Sequence, residues 1–389
     1  MINMNYQICF ILFLVPFFGC SEAPLIAPEN FKRLNNPISM AFVPNTNLAV
    51  VANANVNLNQ ETGSLVAIDL SSASILTETS ISIPSFSGRI TLHPSLFQIY
   101  VPDRGDDALL VYEYTVPAPS GLPISIIPKE VVSPQARTIN GIETDENPFD
   151  VFLFNDLLLV TNHLSGSVSF ISASSLDPID LDPQDSQLNG LPLVSAANFT
   201  QAKRRSGIGA NRIIPAPNGL LYVTSTRTNN IYVIDPKSQQ VEAMLDLSTL
   251  SLTGGTRGMV VSGSGLAYIA HRGINSLIIL DVSEITDNGI DFEVADVKLV
   301  DVIPVGADPE GVALSPDEKT VFVSNQGDNS ITVIDTVTRT IKSHIFVSGT
   351  SPGEIVVDST RNLLYVLNFL SNDISVIDIN TLTLVQIIQ

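Results

Sequence analysis

In residues 321 to 336, VFVSNQGDNSITVIDT, two short apolar runs flank a polar turn. Val321, Phe322 and Val323, then Ile331, Val333 and Ile334, are β-branched or aromatic residues that suit a packed, pleated surface. Between them Gly327, Asp328 and Asn329 tolerate the positive φ that a tight reversal needs, so the segment predicts a β-hairpin. Both strands are apolar on both faces, and a sheet of that kind has to be covered on both sides. Residues 364 to 379, LYVLNFLSNDISVIDI, repeat the arrangement.

With the last residue of each strand as a marker (Asn325 and Asp335), the pair recurs along the chain. The copies are Asn53 with Asp69, Asp103 with Glu113, Asn162 with Ser172, Ser225 with Asp235, His271 with Asp281, Asn325 with Asp335 and Asn368 with Asp378. The two markers lie ten residues apart in every copy but the first, where a longer turn makes it sixteen. An apolar stretch precedes each hairpin, as in GVALSPD (311 to 317), and another follows, as in TIKSHIFV (340 to 347). Four short strands per unit, at 43 to 63 residues from copy to copy, predict an all-β chain folded as a seven-bladed β-propeller with four antiparallel strands per blade. The last copy holds all four of its own strands, so the ring is expected to close by face-to-face packing of blades one and seven, without a strand from the N-terminus.

The tetrapeptides YVTS, LVTN, FVSN and YVLN, with VID ten residues on in three of these copies, resemble the YVTN-type β-propeller repeat family over about residues 36 to 389. The resemblance implies the same seven-bladed fold, often secreted or attached to a surface. It implies no single activity, since such propellers serve as adhesive or surface-layer modules, as lactonase-like enzymes and as parts of redox proteins.

A net charge of −20 argues against a phosphate-backbone partner, and no nucleic acid is expected. The one tight basic cluster, Lys203, Arg204 and Arg205, is read as a solvated loop. The apolar run ICFILFLVPFFGC ends at Gly19-Cys20, the size of a signal-peptide core rather than a membrane span. It resembles a bacterial lipoprotein processing site. That makes 1–19 a signal peptide, Cys20 the lipid-bearing residue and 20–35 a tether to a propeller over 36–389. The other reading is an ordinary signal peptide with an incidental cysteine. Cys9 and Cys20 are the only cysteines, so the mature chain would have no disulfide. A monomer anchored by lipid to a bacterial envelope membrane, on its extracytoplasmic side, follows from these features.

Candidate chemistry is sparse. Gly-rich phosphate loops, zincin motifs and nucleophile elbows are missing, and no cofactor or metal is expected. Asp177, Asp180, Asp182 and Asp185 lack the glycine and distal glutamate of a calcium loop and are read as an acidic insertion. Asp69, Asp235, Asp281, Asp335 and Asp378 recur identically and are read as turn caps. His163 and His271 both fall at hairpin turns, in blades three and five.

One constellation remains. At the entry to each innermost strand stand Ser39, Arg89, Asp150, Arg212, Arg257, Glu310 and Glu354, a mixed ring at the channel mouth. It is either a salt-bridge collar that closes the channel or a funnel for a polar or anionic ligand. The expected function is a binding scaffold for a protein, glycan or small polar ligand on the rim that gathers this ring, His163 and His271. One alternative is a lactonase-like hydrolase pairing Glu310 or Glu354 with Arg89 or Arg212, and catalytic residues are otherwise unassigned. A weaker alternative is a redox partner using His163 or His271. The insertions at 115 to 147 and 173 to 209 are expected on other faces.

Overall fold

The computed structural model describes residues 33–54, 62–116, 124–131, 136–138, 141–179, 191–192, 209–247, 255–285, 293–295 and 298–389. Cys20, Asp180, Asp182, Asp185 and Lys203–Arg205 lie outside the described residues, as does the tether up to residue 32.

Seven sheets follow one another along the chain, each a blade of a β-propeller with antiparallel neighbours. The innermost strands are Pro37–Phe42, Thr91–His93, Pro148–Phe154, Ala210–Pro215, Thr256–Val261, Pro309–Leu314 and Pro352–Asp358. Blade six shows the plan: Pro309–Leu314, then the hairpin Thr320–Asn325 and Ser330–Asp335, then an outer strand Thr340–Phe346. In blades two and three the outer position is shared by short pieces. Leu191–Pro192 pair with Ser167–Val168, so the described end of the second insertion returns to the hairpin-turn rim, contrary to the expectation that it lies on another face. Blade four gains a parallel fifth strand, Glu293–Ala295.

The double-sided hairpins produce seven apolar clusters, one at each junction between blades. Tyr100, Tyr222, Tyr268 and Tyr365, equivalent positions in four blades, are buried in four of these clusters. At the closing junction Phe42 of blade one meets Tyr365 of blade seven edge to face, 5.8 Å between centroids. Blade seven is completed by its own Thr383–Ile388. The described N-terminal residues lock the seam without forming a strand. Leu34 joins its core, Asn36 N–H donates to Asn372 Oδ1 at 2.7 Å, and Asn36 Nδ2 donates to the Phe369 carbonyl at 2.9 Å.

The repeated polar residues hold this frame. Asn325, fully buried, donates to Ser330 Oγ at 3.0 Å and Thr332 Oγ1 at 2.8 Å, and Asn53, Asn162 and Asn368 brace their own hairpins similarly. The turn's left-handed residue is Asn329 (φ 52°), with Asp107, Asn275, Asn372 and Gly166 in the equivalent conformation. Asp335 Oδ1 accepts from the N–H groups of Val337 and Thr338, both at 2.9 Å, and Asp378 does the same for Asn380 and Thr381. The hydroxyl before each marker asparagine links blades. Ser324 Oγ accepts from Gly311 N–H at 2.7 Å within its own blade and donates to the Gly353 carbonyl of the next at 2.6 Å. Thr161 accepts from Asp150 N–H and donates to the Asn211 carbonyl in the same way. One hydroxyl can do both because it carries a donor and acceptor lone pairs.

Candidate functional site at the channel mouth

Each inner strand enters the sheet with a local slip of register. Pro309 faces Asn325 and pairing resumes only at Val312 with Val323, leaving Glu310 and Gly311 in the slip. The same happens at Arg257 and Gly258, at Asn211 and Arg212, and at Gly353 and Glu354. A bulge of this kind bends the strand and re-aims its side chains. By register, Ser39, Arg89, Asp150, Arg212 and Glu354 are equivalent, and Gly258 and Gly311 fill that position in blades five and six. Arg257 and Glu310 therefore sit one residue nearer the rim than the sequence alignment of the ring implies. Glycine is required at the two inner positions. A Cβ on Gly258 would lie 2.5 Å from the Glu310 carbonyl oxygen, and one on Gly311 2.6 Å from that of Gly353.

The charged residues divide into two groups. On one side Arg89 donates through Nε (3.0 Å) and Nη2 to Glu354 Oε1, and through Nη1 to Asp150 Oδ2 at 3.3 Å. Asp150 Oδ2 also accepts from Ile213 N–H at 2.9 Å. The Glu354 side chain is only 2% exposed. Ser39 belongs to this side and accepts from Ile90 N–H at 3.1 Å. Burial works against the Arg89 cation, but the Glu354 and Asp150 carboxylates outweigh it and raise its pKa above the ordinary guanidinium value. Burial also pushes Asp150 up, while Arg89 and the Ile213 N–H pull it back.

On the other side three guanidiniums share one carboxylate. Glu310 takes Arg272 Nη2 at 3.0 Å, Arg257 Nε at 3.7 Å and Arg212 Nη2 at 3.8 Å. Arg272 also donates to Gln326 Oε1 at 2.5 Å, and its Nε lies 3.7 Å from Asp308, a carboxylate more than half exposed. Burial depresses Arg212, and repulsion from Arg89 adds to it; burial likewise depresses Arg257 despite Glu310. The Nε atoms of Arg212, Arg257 and Arg272 and the Oε2 of Glu354 are buried without a hydrogen-bond partner among the described residues.

Arg272, Asp308 and Gln326 escaped the sequence reading, as did Arg104 and Arg227. Arg104 and Arg272 directly follow the hairpin marker and Arg227 lies two residues beyond it, which is the signal that would have exposed them.

The two histidines are not brought together. His163 is half-buried, with Nδ1 3.2 Å from the Ala210 carbonyl and its ring 5.8 Å from that of Phe149. Burial lowers its pKa, and the charges of Arg104, Arg227 and Arg257 lower it further. His271 is fully buried with neither ring nitrogen bonded, and burial lowers its pKa as well. Among the described residues no group of three or more His, Cys, Asp and Glu side chains could hold a metal ion.

The family model described as "Lactonase, 7-bladed beta-propeller" matches residues 155–386. The chain belongs to the lactonase seven-bladed β-propeller family. Among curated relatives it is similar to a gluconolactonase of Zymomonas mobilis, 26% identical over 172 residues, 40% of this chain and 48% of that protein. It is also similar to the hydrazine synthase subunit beta of Kuenenia stuttgartiensis, 31% identical over 138 residues, 32% of this chain and 34% of that subunit. These matches span about half or less of each relative's length. A solved structure of Kuenenia stuttgartiensis hydrazine synthase superposes with a TM-score of 0.63 at 12% identity, covering 93% of this chain and 99% of that one, a likeness of fold. Within this lactonase family fold, the mouth offers a fully paired ion cluster beside an under-neutralised arginine cluster.

Proposed function

We propose that the protein is a binding scaffold whose channel mouth captures a small anionic ligand on Arg212, Arg257 and Arg272. The observation that carries this is the sharing of one largely buried carboxylate, Glu310, by three guanidiniums at 3.0 to 3.8 Å. Desolvated cations without matching carboxylates are costly, and a carboxylate or phosphate oxygen seated on their planar forks relieves that cost. The same position in the paired half offers nothing, because Arg89 is already held by Glu354 and Asp150. The setting is that of an extracytoplasmic lipoprotein anchored through Cys20, which membrane partition of the Cys20→Ser variant tests.

Titration calorimetry with sodium gluconate, glucarate and phosphate tests the binding site. The wild type is expected to bind at least one of them, and the Arg212→Ala/Arg257→Ala variant to lose at least tenfold in affinity with its fold intact. Equal affinity in the two proteins would remove the proposal.

A second reading, hydrolysis of a sugar-acid lactone, draws on family membership and on the likeness to a gluconolactonase. The base is its difficulty. Glu310 is surrounded by three arginines that hold it ionised and weakly basic, and Glu354 Oε1 is committed to Arg89. Acid release from glucono-lactone, followed at constant pH against the uncatalysed rate, separates this reading from simple binding.

A further inference from the structure

The captured ligand needs more than a negative charge, and the argument for this rests on the binding reading above. Arginine carries donors and no acceptor, so the three guanidiniums fix where a carboxylate goes and leave the rest of the ligand unspecified. Two acceptors face the same mouth. The first is His163. Its Nδ1 lies 3.2 Å from the Ala210 carbonyl, which can only accept, so Nδ1 carries the proton and Nε2 of the neutral ring carries the lone pair. The ring is set by its approach to Phe149, whose other contact is the Arg104 guanidinium 5.0 Å from the ring centre. The second is Glu354 Oε2, buried and without a partner, while Oε1 of the same carboxylate is taken by Arg89. Arg257 ties the two parts of the mouth together, since it contacts Glu310 and its charge also acts on His163.

We infer that the mouth selects a hydroxylated carboxylate: the carboxylate lies on Arg212, Arg257 and Arg272, and hydroxyl groups of the same molecule donate to His163 Nε2 and Glu354 Oε2. A carboxylate without hydroxyls would satisfy the cations and leave both acceptors unpaired. A buried acceptor left unpaired costs enough to discriminate strongly between such ligands. His163 is then a specificity-determining residue and not the source of the charge attraction.

Gluconate and hexanoate have equal carbon number and charge and differ in their hydroxyls, so titration of both into the full chain at pH 7.5 is the test. Gluconate is expected to bind at least tenfold more tightly, and His163→Phe to reduce that ratio by about tenfold, the scale of one lost hydrogen bond to a buried acceptor. Nitrogen NMR of the wild type provides a reading independent of the variant's folding: Nε2 is expected to be the bare nitrogen and to shift with gluconate but not with hexanoate. Equal affinity for the two acids, an unchanged ratio in His163→Phe, or a bare Nδ1 would overturn the inference while leaving anion capture standing. If neither these acids nor phosphate bound, the binding reading itself would fall, and this inference with it.

Discussion

The two halves of the channel mouth are built at equivalent positions of equivalent strands, yet they treat charge in opposite ways. Around Arg89 two carboxylates meet one guanidinium and the cation is stabilised; around Glu310 three guanidiniums meet one carboxylate, and Arg212 and Arg257 are depressed. Part of the difference lies with Gly258 and Gly311. The tight approach of inner strands forbids a side chain there, so blades five and six place their charged residues one step outward. One half is thereby a structural collar and the other an open seat. The choice between collar and funnel posed by the sequence resolves into one of each.

The largest effect is expected in the paired half. Arg89→Ala leaves Asp150 and Glu354 buried without their cation and should destabilise the fold by about 3 kcal/mol, read as a lowered midpoint in urea unfolding. A loss below about 1 kcal/mol would erase the distinction between the halves. Beneath the open half the frame depends on a hydroxyl instead. Ser324→Ala breaks the link from Gly311 to Gly353 and should cost about 1–2 kcal/mol in the same measurement. Arg272→Ala should cost less than about 1 kcal/mol, because Glu310 keeps Arg212 and Arg257, while anion affinity falls several-fold. A variant as unstable as Arg89→Ala would show that the arginine cluster is structural.

The smallest effect is on pH dependence. His163 and His271 have depressed pKa values, so the unfolded chain takes up protons before the folded one does. Their contribution is complete above the unfolded value near 6.5 and declines as pH falls from there toward their lower folded values. The turn-capping Asp235, Asp335 and Asp378 are also depressed, and their contribution persists until pH falls below about 4. Unfolding midpoints at pH 7.5, 5.5 and 3.5 should therefore decline in two stages. A flat profile down to pH 4 would show that the histidines are not buried as described.

The hairpins were legible because their signals are local. Asn325 and the hydroxyls it holds lie within seven residues, and Asp335 caps a turn three residues away. The bulge positions were less legible, since Glu310-Gly311 and Gly353-Glu354 differ in order and no local rule says which residue faces inward. Arg272 was passed over because a turn residue after a strand usually faces solvent, and only the neighbouring blade supplies Glu310 and Gln326 to hold it.

The sequence by itself determined the number of blades, the hairpin geometry and the two-sided apolar surfaces that force blades to stack, because each depends on residues a few positions apart. It also placed charged residues at the mouth. Which charges pair was decided only by the tertiary structure. Arg89 and Glu354 are 265 residues apart, and they meet because the seventh blade closes against the first. A pairing across a closed ring depends on the radius of the ring and the register of every inner strand, and no stretch of chain carries that information alone.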